Sequence, residues 1–387
     1  MLKHIGVFFG SRSPEHDISI LTAMRVFEGF RELPEYRAVP VYINKKGEWF
    51  SGAALADVSF FQAGRVEENL KPYAVEALSF GDGALFLHPR RRFFKKGKPL
   101  RLDLAFPCFH GSFGEDGTIQ GLFEMAGVPY VGCGVRASAV AMSKIDARRL
   151  FREAGVASVP AFEVTREAFK KDRAAALAEA EKKFPFPFFV KPNALGSSIA
   201  VSRVADAKEL EWALEIVFQF DTIALVEPAI PNIKEVNVAV IGHRELVVSE
   251  TEEPRFEAAF QTFEEKYVTK GGTIAQSGGK KSKSRSRIPA DLPTAVADQL
   301  KGAAVRAFRA IGASGISRFD FMVNAETNEW YLGEANTLPG SLQVHLWVAS
   351  GVSLPQLLVK LIGYADERHA EEAGLLRPGA DRLLAPA

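Results

Sequence analysis

Cysteine is nearly missing from this chain: Cys108 and Cys133 are the only two in 387 residues. That is too few for a disulfide framework and suggests a reducing compartment, the cytoplasm. Long apolar runs are missing too. None approaches the roughly 20 residues of a membrane span, and the apolar stretch after Met1 is too short for a secretory signal. The chain also lacks a dominant charge. A formal net charge of +1 gives no overall field to gather nucleic acid or an anionic membrane surface, so neither is expected as a partner. Low complexity is confined to residues 271–287, where one basic, Gly/Ser-rich loop in a neutral chain reads as a solvated loop.

What remains is an ordinary globular composition, 47% hydrophobic and 25% charged, in a chain longer than one core usually fills. Two or three domains are expected. Ile5–Phe9, a Gly10-Ser11 loop and an apolar helical pattern through Phe30 form a strand–loop–helix start. Val39–Ile43 and Leu104–Cys108 read as further strands, and strands alternating with helices imply a parallel sheet with ligands at its carboxyl edge. Residues 45–100 read as a peripheral elaboration with a basic stretch at Arg90–Lys98. Further helices are expected at Ser138–Ala154, Ala174–Lys183, Thr294–Ile311 and Ser353–Ile362. Strands are expected at 188–192 and 199–204, with Leu225–Glu227 and Glu235–Ile241 in a third unit. The polar tail from Asp366 onward is expected to be ordered only in part.

Arg318-Phe319-Asp320-Phe321 and Gly333-Glu334-Ala335-Asn336 flank the polar stretch 324–328. As a hairpin centred on Thr327, they pair Asp320 with Glu334 and Arg318 with Asn336, with all four side chains on one face. Opposed carboxylates repel. The pattern makes sense either as a solvated face or around Mg²⁺, which takes a few carboxylate oxygens and completes its shell with phosphate and water. Arg318 beside it suits a phosphoryl group or an oxyanion. Lys191 ends a strand before the small-residue turn Gly196-Ser197-Ser198, whose backbone amides can cradle phosphate. With Lys144 and the acidic hairpin, it suggests a site for a nucleotide and magnesium. The glycine-rich run His110–Gly121 allows close backbone approach to a ligand.

These segments resemble, in order and across nearly the whole chain, the D-alanine–D-alanine ligases of the ATP-grasp superfamily. The matching pieces are Glu15-His16-Asp17-Ile18-Ser19, His110–Gly121, Val131–Ala139 with Met142-Ser143-Lys144, Val190-Lys191-Pro192 with Gly196-Ser197-Ser198, Glu265-Lys266-Tyr267, Arg318-Phe319-Asp320 and Glu334–Gly340. The resemblance implies an α/β fold of three domains: a doubly wound parallel-sheet unit at 1–132, a central ATP-grasp unit at 133–226, and a C-terminal one at 227–387. It implies ATP-dependent joining of two D-alanines through an acyl phosphate, for peptidoglycan precursors, by a cytoplasmic homodimer. ATP would be the co-substrate and two Mg²⁺, or Mn²⁺, the cofactor.

Residue by residue, the resemblance implies that Lys144 and Lys191 hold the ATP phosphates under the Ser197-Ser198 turn. Glu227 and Glu235 contact adenine and ribose, and Asp320, Glu334 and Asn336 bind the metals. Glu15 binds the ammonium of the first D-alanine, with His110 near its carboxylate. Glu15, Ser197 and Tyr267 lock a lid over the site within 260–287, where Lys266 assists the phosphoryl group or the second substrate. Arg318 and the Gly340 amide support the oxyanion and the second substrate's carboxylate. That carboxylate also falls at His345 and Leu346.

Four positions depart from the family's usual pattern: Ser143 for Asp, Ala200 for Gly, Gly333 for Asn, and His345 for a serine. His345 keeps open a second reading, in which the acceptor is D-serine, D-lactate or another D-amino acid; Tyr267 argues against D-lactate. A third reading is a nucleotide-binding regulator without catalysis.

Overall fold

The computed structural model describes residues 2–90, 98–196, 198–254 and 286–375. Ser197, Lys266, Tyr267, the basic loop and lid up to residue 285, most of Arg90–Lys98, and the tail beyond 375 lie outside the described residues.

The first sheet is built on β1 (Lys3–Gly10), β2 (Tyr36–Ile43), the short β3 (Trp49–Ser51) and β7 (Leu104–Pro107), in the order β3-β2-β1-β7. Both β2 and β7 run parallel to β1, as the alternation of strand and helix implied. Side chains of β1 leave on alternate faces and feed two cores. Ile5, Val7 and Phe9 meet the helix His16–Phe30 on one side. Phe8 meets Phe123 of the helix Thr118–Met125 on the other. The peripheral stretch forms a small antiparallel sheet of β4 (Val75–Gly81), β5 (Ala84–Pro89) and β6 (Leu100–Leu102).

The central sheet holds β8 (Phe162–Thr165), β9 (Phe188–Pro192), β10 (Ser202–Val204) and β11 (Ile223–Pro228) in the order β10-β9-β11-β8, all antiparallel. The third holds β12 (Ile233–Gly242), β13 (Leu246–Pro254), β14 (Ser286–Arg287), β15 (Gly315–Asn324) and β16 (Trp330–Asn336) in the order β14-β13-β12-β15-β16, also antiparallel. The sequence reading grouped Leu225–Glu227 with Glu235–Ile241. Instead β11 pairs with β9 in the central sheet, and the chain passes to the third sheet only at β12.

The single helix expected over 138–154 is two, Val135–Met142 and Lys144–Glu153. Ser143 breaks it with extended backbone, and its hydroxyl caps the second helix by accepting from the Asp146 amide. Both helices join the core of the third sheet, through Ala137, Ala141, Ala147 and Phe151. The last helix runs Leu354–Ala373, well past Ile362 and into the polar tail, from a Ser353 capping box. It packs Leu357, Leu358, Leu361 and Ile362 into the core beneath β1. Among the described residues, no single helix is long and apolar enough to cross a membrane.

Candidate active site

At the open end of the β15–β16 hairpin, Asp320 lies opposite Glu334 and Arg318 opposite Asn336, the register centred on Thr327. Toward the closed end the pairing slips by one residue, Phe321 now facing Leu332, because Gly333 forms a bulge. In β16 both Leu332 and Gly333 are buried before alternation resumes at Glu334. The bulge thus keeps Glu334 and Asn336 on the face of Asp320.

Arg318 forks onto Asp320, with Nε 2.6 Å from Oδ1 and Nη2 2.7 Å from Oδ2. Asn336 donates its amide to Asp320 Oδ2 at 2.9 Å. Lys144 Nζ lies 3.6 Å from Glu334 Oε2 and donates to the Leu195 carbonyl at 2.6 Å. One lysine thereby links the hairpin to the start of the Gly196 turn. Among the described residues no cluster of three or more His, Cys, Asp or Glu could hold a metal. Two carboxylates and an amide fit Mg²⁺ when phosphate oxygens and water supply the remaining ligands.

Lys191 and Glu227 are diagonal neighbours on β9 and β11, and Lys191 Nζ sits 2.7 Å from Glu227 Oε2. The other carboxylate oxygen takes Arg148 Nη1 at 2.6 Å. Burial alone would raise the Glu227 pKa, but Lys191 and Arg148 hold it below the usual carboxylate range. Burial also lowers that of Lys191, against the pull of Glu227. Arg148 is 2% exposed. It donates from Nε and Nη2 to the carbonyl of Gly333, at 3.1 and 3.0 Å. A single guanidinium therefore joins the Lys191–Glu227 pair to the bulge beside Glu334. Glu235 stands exposed on β12, opposite Met322. Ser198 and Ala200 take left-handed backbone, φ 57° at each.

A third group gathers around Glu15, at the carboxyl edge of the first sheet. A methyl group built on Gly111 would lie 2.5 Å from Glu15 Oε2, and one on Gly196 would lie 3.5 Å from it. Glycine at 111, with φ 67°, is what lets the loop close over the carboxylate. Glu115 accepts the amides of Gly111 at 2.8 Å and Leu338 at 3.2 Å. Burial, then the charge of Glu15, raises its pKa.

His110 Nε2 is 2.8 Å from Thr22 Oγ1, and the ring also bonds the Leu338 backbone. Burial, helped by the Arg318 charge, lowers its pKa to about 4, so the ring is neutral near pH 7. The resemblance sets His110 near the first substrate's carboxylate; here it is buried in the loop that closes beside Glu15.

Gly340 begins a turn in which Ser341, Leu342 and Gln343 are all left-handed, φ 48°, 53° and 51°. A methyl group built on Gly340 would meet nothing within 4 Å, so this residue borders open space. His345 is half exposed, with Nε2 2.6 Å from Glu252 Oε1. Leu346 is fully buried in the first core, which leaves only its backbone to meet a substrate.

The family model described as D-ala D-ala ligase N-terminus matches residues 4–133, and that described as D-ala D-ala ligase C-terminus matches residues 150–363. The chain belongs to the D-alanine–D-alanine ligase family. It is 36% identical to the D-alanine–D-alanine ligase of Thermosipho melanesiensis over 376 residues, covering 96% of each chain. It is also 36% identical to that of Chloroherpeton thalassium over 374 residues, covering 95% of this chain and 98% of the relative. Among solved structures, the D-alanine–D-alanine ligase of Coxiella burnetii superposes with a TM-score of 0.76 at 29% identity, covering 96% of this chain and 97% of that one. VanG, a D-Ala:D-Ser ligase of Enterococcus faecalis, gives 0.74 at 29% identity, covering 94% and 100%. The fold is the α/β ATP-grasp fold of these ligases.

Within this ligase fold, several of the described candidates gather in three groups: Asp320, Glu334, Asn336, Arg318 and Lys144; Lys191 with Glu227; and Glu15 beside Gly111, the neighbour of His110. Sequence reasoning missed Arg148, Glu115 and Thr22. Arg148 could have been found four residues after Lys144, on the same face of its helix. Thr22 shares the buried face of the first helix with His16 and Ser19, so its polarity did not single it out. Glu115 left no signal apart from its place in the glycine-rich run.

Proposed function

We propose that this chain joins two D-alanines at the expense of ATP, forming D-alanyl-D-alanine for peptidoglycan precursors. The observation that carries the reading is the position of Lys144. Its ammonium spans from the Leu195 carbonyl, beside the Gly196 turn, to Glu334 of the acid–amide hairpin. A nucleotide's phosphates laid there would meet Lys144, Lys191 and the Ser198 turn together. Glu15 beside Gly196 offers a carboxylate for a substrate ammonium at the same edge.

Asp320, Glu334 and Asn336 would hold two Mg²⁺, or Mn²⁺. When bound, the metals offset phosphate charge and orient the γ-phosphoryl group. The chain's own groups do the rest. Glu15 holds the first D-alanine by its ammonium, and Lys144 and Lys191 offset charge so that the carboxylate can reach the phosphoryl group. Arg318 and the Gly340 amide then stabilise the oxyanion formed when the second substrate's neutral amine attacks the acyl phosphate. Acyl phosphates hydrolyse in water, so closure over the site by the segment carrying Lys266 and Tyr267, with Ser197, belongs to this proposal. So do the adenine and ribose contacts of Glu227 and Glu235, a homodimeric cytoplasmic enzyme, and the division at 132/133 and 226/227.

His345 carries a second reading, in which the acceptor is D-serine, D-lactate or another D-amino acid. An imidazole paired with a buried carboxylate presents a different polar group to the acceptor than a serine hydroxyl does. The test is phosphate release from Mg-ATP with D-alanine, then with D-alanine plus D-serine or D-lactate, with L-alanine as control and mass analysis of products. D-alanine-dependent release with D-alanyl-D-alanine as product supports the ligase. A dominant mixed dipeptide supports the second reading, and no D-amino-acid-dependent turnover overturns both.

A further inference from the structure

The turn containing Gly340 follows the third sheet in sequence but is held by the first unit. Leu338 N–H donates to Glu115 Oε1 at 3.2 Å, and Ser341 N–H donates to Thr22 Oγ1 at 3.0 Å. Between these two pinned amides lie only Pro339 and Gly340. The Thr22 hydroxyl is also 2.8 Å from His110 Nε2, and the His110 ring bonds back to the Leu338 backbone. Thr22 is 1% exposed. A buried hydroxyl can accept from one group while donating to another, and here it joins His110 to the turn.

Three consecutive left-handed non-glycine residues after Gly340 are not a conformation a chain adopts unaided. Such strain persists where surrounding structure over-determines it. Here that structure is the Thr22, His110 and Glu115 set, together with Leu342 N–H donating to Pro339 O at 2.9 Å and Gln343 Nε2 to Gly340 O at 3.3 Å. The residue left bordering open space in the middle is Gly340.

We propose that Thr22, acting through Ser341 and His110 and seconded by Glu115 through Leu338, is a positioning residue that aims the Gly340 amide at the oxyanion. The proposal rests on the ligase reading and deepens it. None of the three side chains needs to touch substrate. In the step concerned, the amine nitrogen bonds the acyl carbon, the carbon–oxygen bond to phosphate breaks, and phosphate leaves with the electron pair. The amine's proton leaves with the phosphate. An amide misaimed by a fraction of an ångström costs rate in that step and leaves nucleotide binding untouched.

The experiment compares the full chain with Thr22→Val, Thr22→Ser and Glu115→Gln. It measures dipeptide formation, the KM for ATP, the melting temperature, and D-alanine-dependent positional isotope exchange in ATP, which reads acyl-phosphate formation alone. Thr22→Val is expected to lower kcat for the dipeptide roughly 10- to 100-fold while the exchange and the KM for ATP stay within about twofold. Thr22→Ser, which restores a hydroxyl, is expected to recover most of the loss. Glu115→Gln replaces one accepting oxygen with a donor and is expected to show the same split, which covers the case of Thr22→Val failing to fold. A kcat within about twofold of the native value at an unchanged melting temperature overturns the proposal, and so does isotope exchange falling in parallel with kcat. Native protein without D-alanine-dependent turnover overturns the ligase reading itself, and this inference falls with it.

Discussion

A carboxylate and an imidazole on neighbouring loops behave oppositely here, and each gives a measurable consequence. Glu15 lies beside Gly196, so Glu15→Gln is expected to raise the KM for the first D-alanine roughly 10- to 100-fold, the value of a charged hydrogen bond, with little change in that for ATP. Equal effects on the two would remove the ammonium role. His110 is buried and neutral, its pKa lowered to about 4 against an ordinary 6.5. Between those values the unfolded chain binds a proton that the folded one refuses, so stability falls as pH drops from about 6.5 toward 4. The loss is about 3 kcal/mol. Urea unfolding midpoints across this range should fall more steeply for the native chain than for His110→Asn; parallel profiles would remove the effect. Glu15 and His110 could be picked out from sequence because each stands in a short distinctive run. Thr22 could not, since its partners, His110 and Ser341, are distant in the chain.

At the scale of the element, the β15–β16 hairpin was half legible. Symmetry about Thr327 correctly paired Asp320 with Glu334 and Arg318 with Asn336. It missed the slip at Gly333, because a bulge depends on what grips the extra residue, and here that is the Arg148 guanidinium from another helix. Asp320→Asn removes one carboxylate from the face and is expected to lower turnover and raise the Mg²⁺ concentration needed for half-maximal rate. Unchanged kinetics would remove the metal role of this hairpin. At the start of β15, Gly315 has φ 81°, and a methyl group there would come 2.8 Å from the Gly132 Cα. Gly315→Ala is therefore expected to cost about 1–3 kcal/mol in denaturant unfolding. A cost near zero would mean that the two backbones can part.

Over the whole molecule, the strand–helix alternation forecast the parallel pairing of β1 with β2 and β7, and apart from the β15–β16 hairpin the antiparallel pairing of the other sheets came only from the structure. Periodicity reports which face of a strand is buried, not which neighbour covers it, and so β11 was grouped with the wrong sheet. The same limit hid Arg148, whose value lies in joining two sheets. Arg148→Met leaves the Glu227 carboxylate with Lys191 alone in a buried setting, and about 3–5 kcal/mol of stability is expected to be lost. Thermal unfolding reads this directly, and an unshifted melting temperature would show that Lys191 suffices.

The last helix has a consequence for how the chain can be divided. Leu357, Leu358, Leu361 and Ile362 floor the core under Ile5, Val7 and Phe9, and Arg368 donates to the backbone carbonyls of Gly132 and Tyr130. Although two family models tile the sequence as an N-terminal and a C-terminal piece, the first piece borrows its floor from the end of the second. The halves are therefore not interchangeable parts. Residues 1–134 made alone would present a bare apolar underside and aggregate, whereas co-expression with 135–387 should return a soluble, two-piece enzyme.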